Sequence, residues 1–195
     1  MRLPTTALTT LLREVRARIR RDFPGGRVIV VVDGPSRSGT RAFADGLAAV
    51  FDEADAAVFR ASAADFLLPR AVRTARRAVA AGAYEIDDDS LRRVLIDPFR
   101  DGSQTSATTG FQLAAWDADR DAPVEARWAT GPADAVLVLD APLLAHPELR
   151  ALWDFALWVG PAAAGARAAG PEATASLSID TTDPAHPEIR RNDAP

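Results

Sequence analysis

The chain has 195 residues, 48% of them hydrophobic and 26% charged, with a net charge of −4 and a pI near 5.2. That length suits one domain with a sizeable core, and the acidic balance argues against nucleic acid as the main partner. The absence of cysteine excludes disulfides, thiolate metal sites and cysteine nucleophiles, while His146 and His186 are too few and too far apart for a zinc cluster.

Residues 5–22 place Leu8, Leu11, Leu12, Val15 and Ile19 at helical spacing, with Arg13, Arg16, Arg20 and Arg21 on the other face. A solvated face accounts for these arginines more simply than a membrane surface does. Pro24-Gly25-Gly26 closes this N-terminal segment, 1–26. Arg27–Val32 reads as a strand of the kind buried on both faces of a parallel sheet. After Asp33 and a glycine-containing loop, residues 40–52 read as a helix carried by Phe43, Leu47, Val50 and Phe51.

Ala56–Ala61 reads as a second strand, residues 70–82 as an Arg/Ala-rich helix, and 88–96 as a short helix stopped by Asp97-Pro98. A polar stretch, 101–109, precedes residues 110–128, which alternate loosely as an antiparallel pair would. Ala135–Leu139 is a buried strand ending in Asp140, residues 147–154 are helical, and Phe155–Val159 is a further strand. Residues 160–175 are almost wholly Gly, Ala and Pro; Ser176–Asp180 reads as a last strand, and 183–195 as a polar tail. Alternating strands and helices over 1–195 predict a single α/β domain with a mostly parallel sheet flanked by helices. No apolar run is long enough to span a bilayer and the N-terminus has no signal-type core, so the expected location is the cytoplasm.

A strand, a glycine loop and a helix in that order form the setting of a Walker A loop. Gly34, Ser36, Arg37, Ser38, Gly39, Thr40 and Arg41 are therefore candidate phosphate- or anion-binding residues. The consensus after the second glycine is Lys then Ser or Thr, the ammonium pairing the β/γ-phosphates and the hydroxyl holding Mg²⁺. Here those positions are Thr40 and Arg41, and no lysine occurs anywhere, since all 23 basic residues are arginine. Two readings stay open. The amides at the helix N-terminus bind an anion, with Arg37 or Arg41 supplying charge, or the segment is a plain strand-to-helix turn. Asp140 ends its strand as a Walker B carboxylate does, so it is a candidate metal ligand or an ordinary cap of the next turn.

The loop VVVDGPSRSG, the stretch RASAADF at 60–66, Pro69-Arg70-Ala71, SLRR at 90–93 with Asp97-Pro98, DRDAPV at 119–124, AVLVLD at 135–140, PELRALWD at 147–154 and IDTTDP at 179–184 together resemble the bacterial uridine-kinase-like P-loop family. The resemblance implies a P-loop NTPase-type three-layer fold, a nucleoside triphosphate on the loop and a nucleoside hydroxyl attacking its γ-phosphate. It also implies a general base at the position held here by Ala64, which leaves Asp65 as the candidate acid or base, the alternative being a helix N-cap. Phe66, Tyr84 and Trp116 resemble the family's aromatic lining of the acceptor pocket, each with a core position as the alternative and core the simpler reading for Phe66. Arg120 lies near the family's nucleoside-contacting region, with a plain surface residue as the alternative. The lid region 160–175 is short and offers only Arg167 where the family carries several arginines.

These departures predict a uridine-kinase-like protein with an eroded ATP site. It would not transfer phosphate, and its acceptor pocket would bind a small polar molecule, with or without new chemistry. No cofactor follows from this reading; ATP and Mg²⁺ enter only under the alternative, a working kinase in which arginine replaces the lysine. The expected partner is a small molecule, with neither nucleic acid nor membrane, and a homodimer or a partner subunit is left open.

Overall fold

The computed structural model describes residues 2–79, 85–101, 110–161 and 170–190. The strands in chain order are β1 (Val28–Asp33), β2 (Val58–Ser62), β3 (Phe111–Gln112), β4 (Trp116–Asp117), β5 (Ala122–Pro123), β6 (Trp128–Ala129), β7 (Val136–Asp140), β8 (Phe155–Gly160), β9 (Leu177–Asp180) and β10 (Glu188–Arg190). The α-helices are α1 (Ala7–Asp22), α2 (Arg37–Asp52), α3 (Arg70–Val79), α4 (Asp88–Leu91) and α5 (Asp97–Asp101). The chain divides into two compact units, one of Met1–Arg60 with Ala133–Pro195 and one of Ala61–Pro132.

The first unit is built on a sheet of order β10-β9-β8-β1-β7-β2. β1 lies parallel to both β7 and β8, β8 is parallel to β9, and β10 runs antiparallel to β9. Every residue of β1 is buried, as its unbroken apolar run predicts. Val28, Val30 and Val32 join a core with Leu12, Val15 and Ile19 of α1 and Leu47, Val50 and Phe51 of α2. Ile29 and Val31 point to the opposite face and are equally buried.

α1 starts with a capping box between Thr6 and Thr9. Three of the four arginines named from the sequence are engaged within the unit: Arg13 pairs with Glu53 at 2.8 Å, Arg16 donates to the Val50 carbonyl at 2.8 Å, and Arg20 donates to the Asp134 carbonyl at 2.9 Å. No helix among the described residues is long and apolar enough to cross a membrane.

Three segments of this unit differ from the sequence reading. α2 begins at Arg37, three residues earlier than expected, because Ser36 caps it. Pro147–Leu152 is a 3₁₀ helix. The tail contributes an edge strand, β10, held where Arg190 bonds Asp180 and Glu172, each at 3.2 Å. Of the segment 160–175, residues 162–169 lie outside the described residues, as do 191–195 of the tail, and Gly170–Thr174 is a 3₁₀ turn.

The second unit has its own core of Phe66, Leu91, Leu95, Ile96, Phe99 and Phe111, with Phe99 and Phe111 edge to face at 5.2 Å. Its short strands pair antiparallel, β3 with β6 and β4 with β5. Asp97-Pro98 does not stop the helix that starts at Asp88. A π-turn over Arg92–Ile96 intervenes, and α5 continues beyond it. Proline has no N–H to return to the preceding turn, and the wider turn, in which the Asp97 N–H reaches the Arg92 carbonyl, absorbs that loss. α3 has no buried residue and is tied at its start by the Asp121 carboxylate, which accepts the Arg70 N–H at 2.8 Å.

Candidate functional site

The chain leaves β1 through Gly34, where a side chain has no room: a Cβ there would lie 2.1 Å from the Val159 carbonyl oxygen. One residue on, Pro35 packs against Gly160, where a Cβ would meet the proline ring at 2.9 Å. The order of connections changes direction between β1 and β8, the place where open α/β sheets bind ligands. Among the described residues, Gly34 lies close against the Val159 backbone at that place.

The expected phosphate loop is largely wound into α2. Ser36 accepts the Gly39 N–H through its hydroxyl at 3.2 Å, and its carbonyl accepts the Thr40 N–H at 2.9 Å. A Walker A cradle turns such amides toward phosphate oxygens; here both already have partners. Thr40, at the lysine position, is 6% exposed and its hydroxyl donates to the Arg37 carbonyl at 3.0 Å. Ser38 and Gly39 are exposed, and Ser38 lies 3.2 Å from Ser36, hydroxyl to hydroxyl. Arg37 and Arg41 are exposed on the first two turns, with no acidic residue in the first. Neither forms an ion pair among the described residues. Two guanidiniums at the positive end of a helix dipole, four positions apart, repel each other and the helix end alike.

Asp33, which the sequence reading took only as the strand's end, is a buried carboxylate at 5% exposure. It accepts the Gly34 N–H at 2.6 Å and the Leu144 N–H at 2.9 Å, tying the loop after β7 to the loop after β1. Burial pushes its pKa above the ordinary carboxylate value, and the backbone donors oppose that shift.

Asp140 lies where a Walker B carboxylate would, and it is already partnered. Arg60 of β2 donates to it through Nη2, and the same guanidinium donates through Nε to Asp45 of α2 at 2.8 Å. The magnesium that the fold implies does not fit these residues. The Asp140 carboxylate is paired with a cation, the Thr40 hydroxyl is turned to backbone, and Arg41 has no hydroxyl. No group of three His, Asp or Glu side chains among the described residues is placed to hold a metal. Arg60 and Asp45 were not singled out from sequence, and only the RASAADF segment pointed near them.

The second unit holds the candidate acceptor residues. Asp65 is half-buried on a 3₁₀ turn, Ala63–Phe66, and its carbonyl accepts the Ala115 N–H at 2.9 Å. The cap of that turn is Ser62, whose hydroxyl accepts the Ala64 N–H at 3.3 Å, so Asp65 is not the N-cap. Phe66 is fully buried and belongs to the core, not to a pocket wall. Trp116 is half-buried on β4, with an indole N–H that has no hydrogen-bond partner among the described residues. Arg120 is exposed in the β4–β5 turn, its backbone N–H bonded to Asp117 at 3.0 Å. It lines a cleft of about 570 Å³ together with Asp117, Glu125, Arg127 and Trp128. Tyr84 and the lid's Arg167 lie outside the described residues.

No protein-family profile matches the chain, and no curated protein matches it in sequence. Solved structures do. One described as a possible uridine kinase from Bacillus stearothermophilus is 20% identical, with a TM-score of 0.57 over 78% of this chain and 79% of that one. A proposed fructose transport system kinase from Silicibacter sp. TM1040 is 21% identical, with a TM-score of 0.58 over 80% of this chain and 75% of that one. At these identities the likeness is one of fold, and the fold is the mostly parallel α/β architecture of uridine-kinase-like P-loop kinases.

Proposed function

Starting from that fold, we propose that the protein is a uridine-kinase-like relative whose ATP end does not support phosphoryl transfer and whose acceptor side binds a small polar molecule. The observation that carries this reading is the first turn of α2, where Ser36 takes up the Gly39 and Thr40 amides and Thr40 is buried at the lysine position. Phosphoryl transfer is positioning plus neutralisation of charge, so it suffers directly when the cradle, the ammonium and the metal ligands are lost together. Ala64 at the position of the family's base removes a further part.

On the acceptor side, the cleft beside Arg120 mixes carboxylates, guanidiniums and the exposed ring of Trp128, a lining that suits a small molecule with both donors and acceptors. Asp65 does not line this cleft; it is the acid or base of the proposal where the protein carries out chemistry. A non-catalytic role, as the binding subunit of an active kinase, uses the same residues.

A second reading draws on Arg37 and Arg41. Both are exposed and without ion pairs among the described residues, as groups that neutralise a phosphate would be. A working kinase would use one of them in place of lysine, and then Mg²⁺ and ATP would be its cofactors.

The two readings separate in a thermal-stability titration with ATP, ADP and a panel of nucleosides and other small polar molecules. A ligand at 100 times its Kd stabilises the folded state by about 2.7 kcal/mol, a rise of roughly 5–11 °C in Tm for a chain of this size. The proposal expects such a rise with a member of the small-molecule panel and none with ATP or ADP. A rise with ATP in the presence of Mg²⁺ contradicts it.

A further inference from the structure

We infer that Arg60 is the resident cation of the β7 end of the sheet, occupying the place of a divalent metal so that the protein holds none there. Its guanidinium joins two carboxylates from separate elements, Asp140 at the end of β7 and Asp45 on α2. Arg60 and Asp140 are largely withdrawn from solvent, at 22% and 13% side-chain exposure, while Asp45 stands outside at 60%. A guanidinium is permanently charged and offers a fixed fork of donors, so it satisfies two acceptors at once without a bound ion. A metal on Asp140 would share the carboxylate with Arg60 and would sit within a few ångströms of a permanent positive charge. No group of three His, Asp or Glu side chains among the described residues is placed to help hold it, and the Thr40 hydroxyl, next to the position of the family's metal ligand, donates to the Arg37 carbonyl.

This extends the proposed loss of the ATP end, and its test is run without nucleotide so that the two can fail separately. Mn²⁺ is titrated into the nucleotide-free protein and followed by water-proton relaxation. The wild-type protein is expected to show no saturable site below millimolar Mn²⁺ and to match Asp140→Asn; a wild-type site that disappears in Asp140→Asn overturns the inference. Arg60→Gln, shown to be folded by circular dichroism, is expected to gain a Mn²⁺ site at least about tenfold tighter than any wild-type binding. Mg²⁺ should compete for that site, and adding Asp140→Asn should remove it. A folded Arg60→Gln protein that gains no site also overturns the inference. Should Arg60→Gln fail to fold, the comparison of wild type with Asp140→Asn still decides. ATP turnover by a protein without a metal site would contradict the functional reading and leave this one standing.

Discussion

At Gly34 a Cβ atom would meet not only the Val159 carbonyl at 2.1 Å but also Thr40 Cγ2 at 3.0 Å, so the turn after β1 must shift to accept even alanine. Gly34→Ala is expected to cost about 3 kcal/mol, a fall of roughly 6–12 °C in Tm, measured by thermal denaturation. Glu53 gives a pH-dependent counterpart. Hydrogen bonds from Arg13 and from the Leu3 N–H hold its pKa at about 2 against an ordinary 4.5. A folded-state value below the unfolded one means a contribution that is complete above about pH 4.5 and lost as pH falls toward 2. Glu53→Gln should therefore lower Tm at neutral pH, and the gap from wild type should close across that acid range. Asp33 acts in the opposite sense: burial raises its pKa, so its linkage favours folding below the ordinary carboxylate pKa and fades as pH rises through the folded value. Gly34 and Gly39 were legible in the sequence because a strand, a tight turn and a helix in succession demand them. The partners of Asp33 and Asp140 were not, since Leu144 and Arg60 lie 111 and 80 positions away.

Among the elements, α2 matters most for function. Its apolar positions Phe43, Leu47, Val50 and Phe51 marked the helix body, but periodicity carries no information about where a polar first turn begins. That start depends on Ser36, whose side chain closes the turn the loop would otherwise leave open. Replacing Thr40 with Lys and Arg41 with Thr restores the consensus letters without unwinding the turn or freeing Asp140 from Arg60. The double variant is thus expected to show no gain in ATP affinity by calorimetry, and a clear gain would mean that only two side chains separate this loop from a working one. The helix from Asp88 teaches a similar lesson in the second unit. Proline reads as a stop, yet a π-turn lets the chain carry on, because Leu91 and Phe99 on either side of the irregularity, and Leu95 and Ile96 within it, are all buried. Strand β10 was hidden for the reverse reason: Glu188–Arg190 has no apolar alternation, and its Arg190 is held by pairs with Glu172 and Asp180.

Across the whole molecule, the fold was legible because β1, β7 and β8 are continuous apolar runs separated by helical segments, a pattern with few solutions other than a parallel sheet. The division into two compact units was not, since the boundary at Arg60 falls inside β2 and no change of composition marks it. On the proposed function, fold and reaction diverge in this chain: the strand order resembles that of solved kinase structures, while the positions of lysine, metal hydroxyl and base in the family's pattern hold Thr40, Arg41 and Ala64. The most direct test of that divergence is a phosphoryl-transfer assay with γ-labelled ATP, Mg²⁺ and a panel of nucleosides. No transfer above the background of ATP and Mg²⁺ alone is expected; Mg²⁺-dependent transfer to any nucleoside, abolished by Arg41→Ala, would contradict the proposed function.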